Sequence, residues 1–464
     1  MGIGSLIYAF FYTLFLYRNP SGITYPFFAG GSCLLFFYYL KKSAPTAGNM
    51  LHGDWPGRKY SLFITACLLL LGFSVCYTDS LPLQILAKLL FFFLFMYLML
   101  SNTYQDKDWD FFTYLGRMIA LPFTAIGFLF QPFAALGQFI SQRRQKQEKN
   151  KYFVPVLWGL IIAIPVLCVI LLLLGSADMV FGNLLGKLFT FSFPVQVFNN
   201  LFWLLFSFLF AFFASYCMLY SLSRQVLQGQ ETSAARNTKD PVTGITITLL
   251  LSLVYFVFCV IQIFYLFCGI GTLPEGYTYA EYAREGYFQL LFVCLFNILL
   301  VLLCNRLFKK HRLLQSLLSF ICACTCLMIA SSAYRMLLYI SAYGLTFLRV
   351  FVLWTLSVMV LILIGTLILI CHSHFPFVKY TLAVIVVPFL LLVFARPDAG
   401  IARYNLATDR DSWYLHQLSA DAAPVILKVD PHFLDEYNTP QKDTVRSFNF
   451  SRWAAYRAYQ NSRQ

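Results

Sequence analysis

The residues best suited to bind a ligand lie in a short polar segment between two long apolar runs. Glu281 and Glu285 are four residues apart, and Arg284 is three residues after Glu281. Side chains three or four residues apart are neighbours on a helix, so a helix that begins near residue 279 would gather these charges on one side. Tyrosines at positions 277, 279, 282 and 287 surround them. The segment is therefore a candidate polar rim at the start of the apolar run that follows.

A second polar segment, residues 332–350, repeats this combination of arginine and tyrosine. Arg335, Tyr339 and Tyr343 are spaced by four residues and so share one helical stripe, and Arg349 lies at the start of the next apolar run. The favoured interpretation is a structural cluster in which the acids of the first segment pair with these arginines and, with the tyrosines, lock helix ends, because such networks are common without any ligand. The alternative is an outward-facing ligand vestibule in which Arg335 or Arg349 holds an anion.

Nothing else in the sequence has the spacing of a catalytic or metal-binding motif. The patterns HExxH, GxSxG, Walker A and paired CxxC do not occur. Cys322, Cys324 and Cys326 alternate, and on a helix the middle thiol points away from the other two. We therefore predict no catalytic residues, no metal, no cofactor and no enzymatic activity. The thirteen cysteines are expected to be free thiols that pack as small apolar residues.

The amino-acid composition indicates that the helices carrying these polar residues lie in a lipid bilayer. Hydrophobic residues make up 59% of the 464 positions and charged residues only 12%. A soluble domain carries about a quarter charged residues, so this chain has too little polar surface to face water on all sides. The net charge of +14 comes from short basic clusters between apolar runs. That pattern orients a membrane protein and does not indicate a nucleic-acid partner.

Apolar runs divide residues 1–395 into segments long enough to cross a bilayer, which takes about 20 residues each. The sequence predicts an all-α, polytopic integral membrane helix bundle with about ten or eleven spans. The candidate spans are residues 3–17, 22–40, 60–77, 81–101, 152–175, 197–221, 243–270, 287–305, 313–332, 350–371 and 380–395.

The distribution of basic residues predicts the orientation of these spans. With the N-terminus inside, the inner loops hold 19 Lys and Arg residues and the outer loops hold five. Basic residues accumulate on the cytoplasmic side of membrane proteins. The N-terminus is therefore predicted to be inside, and the polar tail, residues 396–464, is predicted to be outside.

The segment 111–140 is long enough to cross, but we predict that it lies along the inner leaflet. A crossing here would move the basic residues of loop 41–59 to the wrong side, and Pro122 and Pro132 interrupt the segment. A basic inner loop follows, to residue 151. The tail has nine basic and eight acidic residues, and it is predicted to form a small helical domain on the outer face.

Three segments resemble a known family. YTYAEYAREGYFQLLFVCLFNILLVL (277–302), YRMLLYISAYGLTFLRVFVLW (334–354) and LSADAAPVIL (418–427) are similar to the bacterial membrane family catalogued as domain of unknown function 4173. The resemblance runs from about residue 60 to residue 430. It implies a bacterial cytoplasmic-membrane protein, and it implies no activity.

Two function classes follow from these observations. No Asp or Glu lies within any predicted span, whereas ion-coupled transporters usually place a carboxylate near the bilayer midplane. The favoured class is therefore a non-enzymatic binding, sensing or assembly component, with the lipid bilayer and a membrane or extracytoplasmic protein as partners. The alternative is a permease-like transporter of an uncoupled or lipidic substrate.

Overall fold

The computed structural model of the chain is helical almost throughout. It describes residues 1–19, 21–43, 58–104, 109–144, 195–225, 227, 238–264, 287–409, 412–434 and 440–463, with six single positions between 163 and 181. Within these ranges, the one extended pairing is an isolated bridge between Lys239 and Phe308. The predicted all-α fold is therefore confirmed.

The described residues form fifteen α-helices. In chain order they are α1 (Gly2–Leu16), α2 (Thr24–Ser43), α3 (Arg58–Tyr77), α4 (Leu81–Thr103), α5 (Phe111–Ile126), α6 (Gln131–Arg144), α7 (Val195–Ser223), α8 (Pro241–Gln262), α9 (Tyr287–Leu307), α10 (Arg312–Tyr343), α11 (Phe347–Cys371), α12 (Phe377–Phe394), α13 (Pro397–Thr408), α14 (Ala423–Ile426) and α15 (Phe450–Ser462). A short 3-10 helix, Ser412–Gln417, lies between α13 and α14.

Eight of these helices, α3, α4 and α7 to α12, are long and apolar enough to cross a membrane. They correspond to eight of the predicted spans, so the polytopic membrane architecture is confirmed. Helix α1 has 15 residues, fewer than the about 20 that a span needs. Helix α2 is 20 residues long but ends in Lys41 and Lys42 and does not reach the same hydropathy. The predicted span 152–175 falls almost entirely outside the described residues.

The segment 111–140 consists of two helices and not of one straight rod. Helix α5 and residues 131–138 of α6 meet at an angle of 55° across a break of at most four residues. The break lies between Pro122 and Pro132, as predicted. If the bent pair crosses as one span, the described residues supply nine spans. The inner-leaflet location of this segment stays a prediction.

The chain divides into two compact units, and one of the boundaries between them falls within α5. The first unit comprises residues 1–17 and 121–224, and the second comprises residues 18–120 and 225–464. In the first unit, α1 and α6 both pack against α7. The hydroxyl groups of Thr124 and Ser221 lie 3.3 Å apart there. The rings of Phe133 and Phe213 also contact each other. The predicted boundary between bundle and tail at residue 395 stays a prediction.

Helix α10 is the centre of the larger apolar cluster in the second unit. It packs against α8, α9 and α11, and α3 and α4 form a second group with α12. Fully buried residues of the cluster include Cys294, Val301, Ile321, Cys322 and Leu363. With 32 residues, α10 is about 48 Å long, well over the about 30 Å thickness of hydrocarbon. One end of α10 must therefore extend into the headgroup region or beyond.

The helices of the second unit have two distinct ends. The tail-side end, where the tail packs, holds the connections α3–α4 and α10–α11. At the opposite end, Arg306 forms an ion pair with Asp110 at 3.0 Å. The hydroxyl of Tyr60 donates there to the carbonyl of Lys379 at 2.9 Å. This end also carries the basic residues Lys309, Lys310 and Arg312, which begin α10 or directly precede it.

Close packing of α11 on α12 generates a prediction about Gly365. The ring of Tyr380 lies over Gly365, where a methyl group would overlap it, and the Tyr380 hydroxyl donates to the carbonyl of Leu361 at 2.8 Å. We expect Gly365→Ala to destabilise the protein by about 1–3 kcal/mol, because the ring must leave its position. Thermal unfolding of the purified protein in detergent measures this loss.

The matched control is Gly116→Ala in α5, where the added methyl group meets open space. The control should melt within about one degree of the wild type, or slightly higher because alanine favours helix. Equal melting temperatures for the two variants would show that the α11–α12 contact is not close.

Candidate functional site

The structure brings the second predicted polar segment together at the tail-side end of α10. Arg335, Tyr339 and Tyr343 lie on this one helix, and Arg349 lies in the first turn of α11. Glu281, Arg284 and Glu285 lie outside the described residues. The predicted pairing of these acids with the arginines therefore stays a prediction.

Arg349 caps the end of α10. Its guanidinium donates to the carbonyl of Tyr343 at 3.1 Å and to the carbonyl of Gly344. It also lies over the ring of Tyr339, 4.3 Å from the ring centre. Gly344 has φ of 81°, a left-handed conformation that ends the helix and that favours glycine. A cation at the last carbonyls of a helix stabilises the helix dipole, so these contacts favour a structural role for Arg349.

Arg335 is buried in the same region, with 7% of its surface exposed. One of its terminal nitrogens donates to the side-chain oxygen of Gln262 at 3.2 Å. The hydroxyl of Ser331 donates to the same oxygen at 2.7 Å. These hydrogen bonds join the end of α8 to α10. They use polar side chains to hold neighbouring membrane helices together, which is a common role of such groups in lipid.

A second polar chain lies deeper between the same helices. The hydroxyl of Tyr255 in α8 donates to Asn297 of α9 at 2.6 Å. The amide of Asn297 donates to the hydroxyl of Thr325 in α10 at 3.0 Å. Asn297 and Thr325 are buried. Three helices are thus connected by side chains that satisfy one another within an apolar interior.

The tail binds the connection between α10 and α11. Asn405 of α13 is buried, and its side chain accepts a hydrogen bond from the amide of Leu345 at 2.8 Å and donates to the Leu345 carbonyl at 2.9 Å. The hydroxyl of Tyr414 accepts from the amide of Phe347 at 3.0 Å. Leu345 lies outside the helices, and the amide of Phe347, in the first turn of α11, has no acceptor within the helix. Two side chains of the tail supply them.

The tail also binds the connection between α3 and α4. The hydroxyl of Thr78 donates to Asp421, and the amide of Asp79 donates to the other oxygen of the same carboxylate at 3.4 Å. The side chain of Asn449 donates to the carbonyl of Thr78 at 3.0 Å. Asp421 and Asn449 are both buried. We call Asn405, Tyr414, Asp421 and Asn449 the tail clamp.

Asp421 of the clamp also belongs to a group of charged side chains near the α3–α4 connection. We call this group the acid cluster: Asp79, Asp398, Asp421, Asp443 and Arg452. Arg452 donates to Asp443 at 3.0 Å and lies 3.5 Å from Asp79. Asp398 is buried and accepts hydrogen bonds from the amide and hydroxyl of Ser419. Arg452 therefore pairs with two of the four acids.

Burial dominates the electrostatics of this cluster. It raises the pKa of Asp79 to about 6, and the neighbouring carboxylates of Asp421 and Asp443 add to the effect against the opposing charge of Arg452. Burial also raises the pKa of Asp398, although hydrogen bonds from Ser419 oppose the shift. Desolvation disfavours the charged form of an acid, as does a neighbouring like charge. The cluster can consequently hold protons at mildly acidic pH.

The described residues contain no group of three or more His, Cys, Asp or Glu side chains placed to hold a metal ion. Cys322, Cys324 and Cys326 form no such group, and the backbone carbonyl of Cys324 accepts a hydrogen bond from the thiol of Cys259 at 3.8 Å. The described cysteines are free thiols, as expected. The polar groups of the clamp and the acid cluster can bind protons and form hydrogen bonds.

Comparison with protein families gives a match over most of the chain. The model of a domain of unknown function, DUF4153, matches residues 65–429. The chain belongs to the DUF4153 family. The predicted extent of the resemblance is confirmed, but the predicted family, number 4173, was wrong. Apolar helices with arginine and tyrosine at their ends recur in many membrane proteins, so such segments do not separate one family from another. No curated protein and no solved structure shows significant similarity to the chain.

The DUF4153 match ends within the tail and includes most of the tail clamp. Asn405, Tyr414 and Asp421 lie within it, and Asn449 lies beyond it. Residue spacing predicted none of these four residues, because each binds a partner that is remote in the sequence. One signal did exist, since Asp421 belongs to the segment LSADAAPVIL, which also carried the family resemblance.

The acid cluster predicts a pH dependence of stability in this DUF4153 protein. The folded-state pKa of Asp79 is above the unfolded value of about 3.9, so folding favours the protonated form. The stabilising contribution of Asp79 to the free energy of unfolding is fully present below about pH 4 and is lost as the pH rises through about 6. We expect Asp79→Asn, which stays neutral, to be more stable than the wild type at pH 7.5, by on the order of 2 kcal/mol. The difference should shrink towards pH 4.5.

Melting temperatures across this pH range measure the difference directly. Asp430→Asn is the control, because Asp430 is an exposed carboxylate of the tail, and its curve should run parallel to that of the wild type. If Asp79→Asn also ran parallel to the wild type, Asp79 would not be a buried, protonatable group.

Proposed function

We propose that this member of the DUF4153 family is a non-enzymatic binding, sensing or assembly component of the bacterial cytoplasmic membrane, with its tail-side end outside. The observation that carries the proposal is the tail clamp. Polar side chains of the tail bond to backbone groups of two helix connections, at Thr78 and at Leu345 and Phe347. A partner that binds the tail would therefore act directly on the ends of four membrane helices.

The packing of α10 supports such coupling. The connection that Asn405 holds is the end of α10, and α10 packs against α8, α9 and α11. Packed helix interiors do not deform gradually, so we expect a shift at one helix end to be passed to the neighbouring helices. A protein that senses or assembles through its outer face requires this kind of connection between tail and spans.

The contacts of the two arginines favour this function over transport. Arg349 donates to the last carbonyls of α10, and Arg335 donates to Gln262. These hydrogen bonds lie near the ends of α8 and α10, and they support a structural role for both arginines. The orientation is supported by Lys309, Lys310 and Arg312 at the opposite end, since basic residues accumulate inside.

The alternative function, a permease for an uncoupled or lipidic substrate, is supported by one observation. The polar side chains of Tyr255, Asn297 and Thr325 lie deep between α8, α9 and α10. A transporter could expose such groups to a substrate when the helices separate. In the described structure they bond to one another.

Cross-linking in intact cells tests the proposed function and its orientation together. Lys428→Cys places a thiol on an exposed position of the tail, and Lys310→Cys places one at the opposite end. Both variants carry Cys371→Ser, because Cys371 is exposed. A membrane-impermeant reagent that joins a thiol to a nearby protein is added to the cells. We expect discrete protein adducts from Lys428→Cys in intact cells, and adducts from Lys310→Cys only after the cells are opened.

Two results would contradict the proposal. Labelling of Lys428→Cys only in opened cells would reverse the orientation. Saturable flux of a lipid or small solute in proteoliposomes, abolished by Asn297→Leu in a protein that still folds, would instead support the permease.

A further inference from the structure

A row of aromatic rings connects the surface of a membrane helix to the final helix of the tail. Phe73 of α3 is 37% exposed, on a helix that is apolar enough to span the membrane. Its ring centre lies 5.7 Å from that of Phe450, which begins α15. Phe448 follows at 5.1 Å from Phe450, and Trp453 lies 6.4 Å from Phe448. Trp453 is therefore continuous with the lipid-facing surface of α3.

Helix α15 places its largest side chain on its exposed face. Ser451 and Ala455 are buried, whereas Trp453 is 41% exposed and Arg457 is also exposed. The guanidinium of Arg457 lies over the indole ring of Trp453, 4.2 Å from the ring centre. Tryptophan accumulates at the membrane interface because one part of its ring system is apolar and its N–H is polar. The arrangement leaves the edge of the guanidinium available for an anion.

The charge of this part of the tail is complementary to an anionic surface. Residues 441–464 contain five Lys and Arg residues and one acid, Asp443. Asp443 is already paired with Arg452. A basic segment at the end of a membrane helix attracts anionic lipid headgroups.

We infer that Trp453 and Arg457 form a binding site for the phosphate of an anionic phospholipid in the leaflet at the tail-side end. The indole ring lies among the headgroups, beside the lipid-facing surface of α3. The guanidinium on its face donates hydrogen bonds to phosphate oxygens, for which its planar group is well suited. The site anchors α15, and with it the nearby Asn449 of the tail clamp, to the bilayer.

Fluorescence quenching in nanodiscs tests this site with the full chain. The discs contain phosphatidylcholine and an increasing fraction of brominated phosphatidylglycerol, and the difference between each protein and its Trp453→Phe derivative reports Trp453 alone. We expect Trp453 to be quenched, with phosphatidylglycerol preferred over phosphatidylcholine. Arg457→Gln should lower the relative association constant of phosphatidylglycerol about fivefold.

Arg403→Gln is the matched control, because Arg403 is also an exposed arginine on a tail helix. It should change the relative association constant less than twofold, by loss of general charge alone. Melting temperatures confirm that the variants fold, which is expected because Arg457 does not face the buried side of α15. Equal effects of the two substitutions, or a Trp453 that brominated lipid does not quench, would overturn the site.

Discussion

Buried backbone groups need hydrogen-bond partners, and this requirement determines how the tail packs against the helices in the second unit of this protein. Where membrane helices end, their connections present amide and carbonyl groups that neither lipid nor a helix can satisfy. At the tail-side end, side chains of a segment remote in the sequence supply these partners. Asn405 satisfies both backbone groups of Leu345, and Asn449 and Asp421 bind the Thr78 region. The tail is thus part of the structure of the bundle, and its position is set by the helix connections it satisfies.

This constraint explains the electrostatics of the tail. An asparagine can satisfy a donor and an acceptor without charge, whereas Asp421 accepts two hydrogen bonds with a carboxylate and brings it close to Asp79 and Asp398. Burial of several acids beside one arginine costs free energy unless protons are taken up. A protonation change at the tail-side end would then act where the tail holds α3 and α4. The acid cluster and the clamp share Asp421, so we expect proton binding by the cluster to be linked to the packing of the tail against the α3–α4 connection.

The sequence was sufficient to predict the membrane-spanning helices, but it was not sufficient to predict the contacts between the helices and the tail. Apolar runs predicted eight spans correctly, because lipid imposes length and hydropathy on each helix by itself. Four-residue spacing placed Arg335 and Tyr339 on one stripe, because helix geometry is local. The roles of Asn405 and Asp421 were not predictable, since their partners are 60 and 343 residues away. Helix α1 is short and α2 is less apolar, so the predicted spans 3–17 and 22–40 are not among the eight helices that meet both the length and the hydropathy of a span.

Hydrogen exchange at the backbone amide of Leu345 tests the central claim, that tail side chains hold the helix connections. In the wild type this amide donates to Asn405 at 2.8 Å, whereas the neighbouring amide of Gly344 donates to the carbonyl of Ile340 within the helix end. Asn405→Ala should accelerate exchange at Leu345 about tenfold or more, equivalent to about 1.4 kcal/mol, and should leave Gly344 nearly unchanged. Unaltered protection of Leu345 in this variant would show that the tail does not hold the connection, and the account would be wrong.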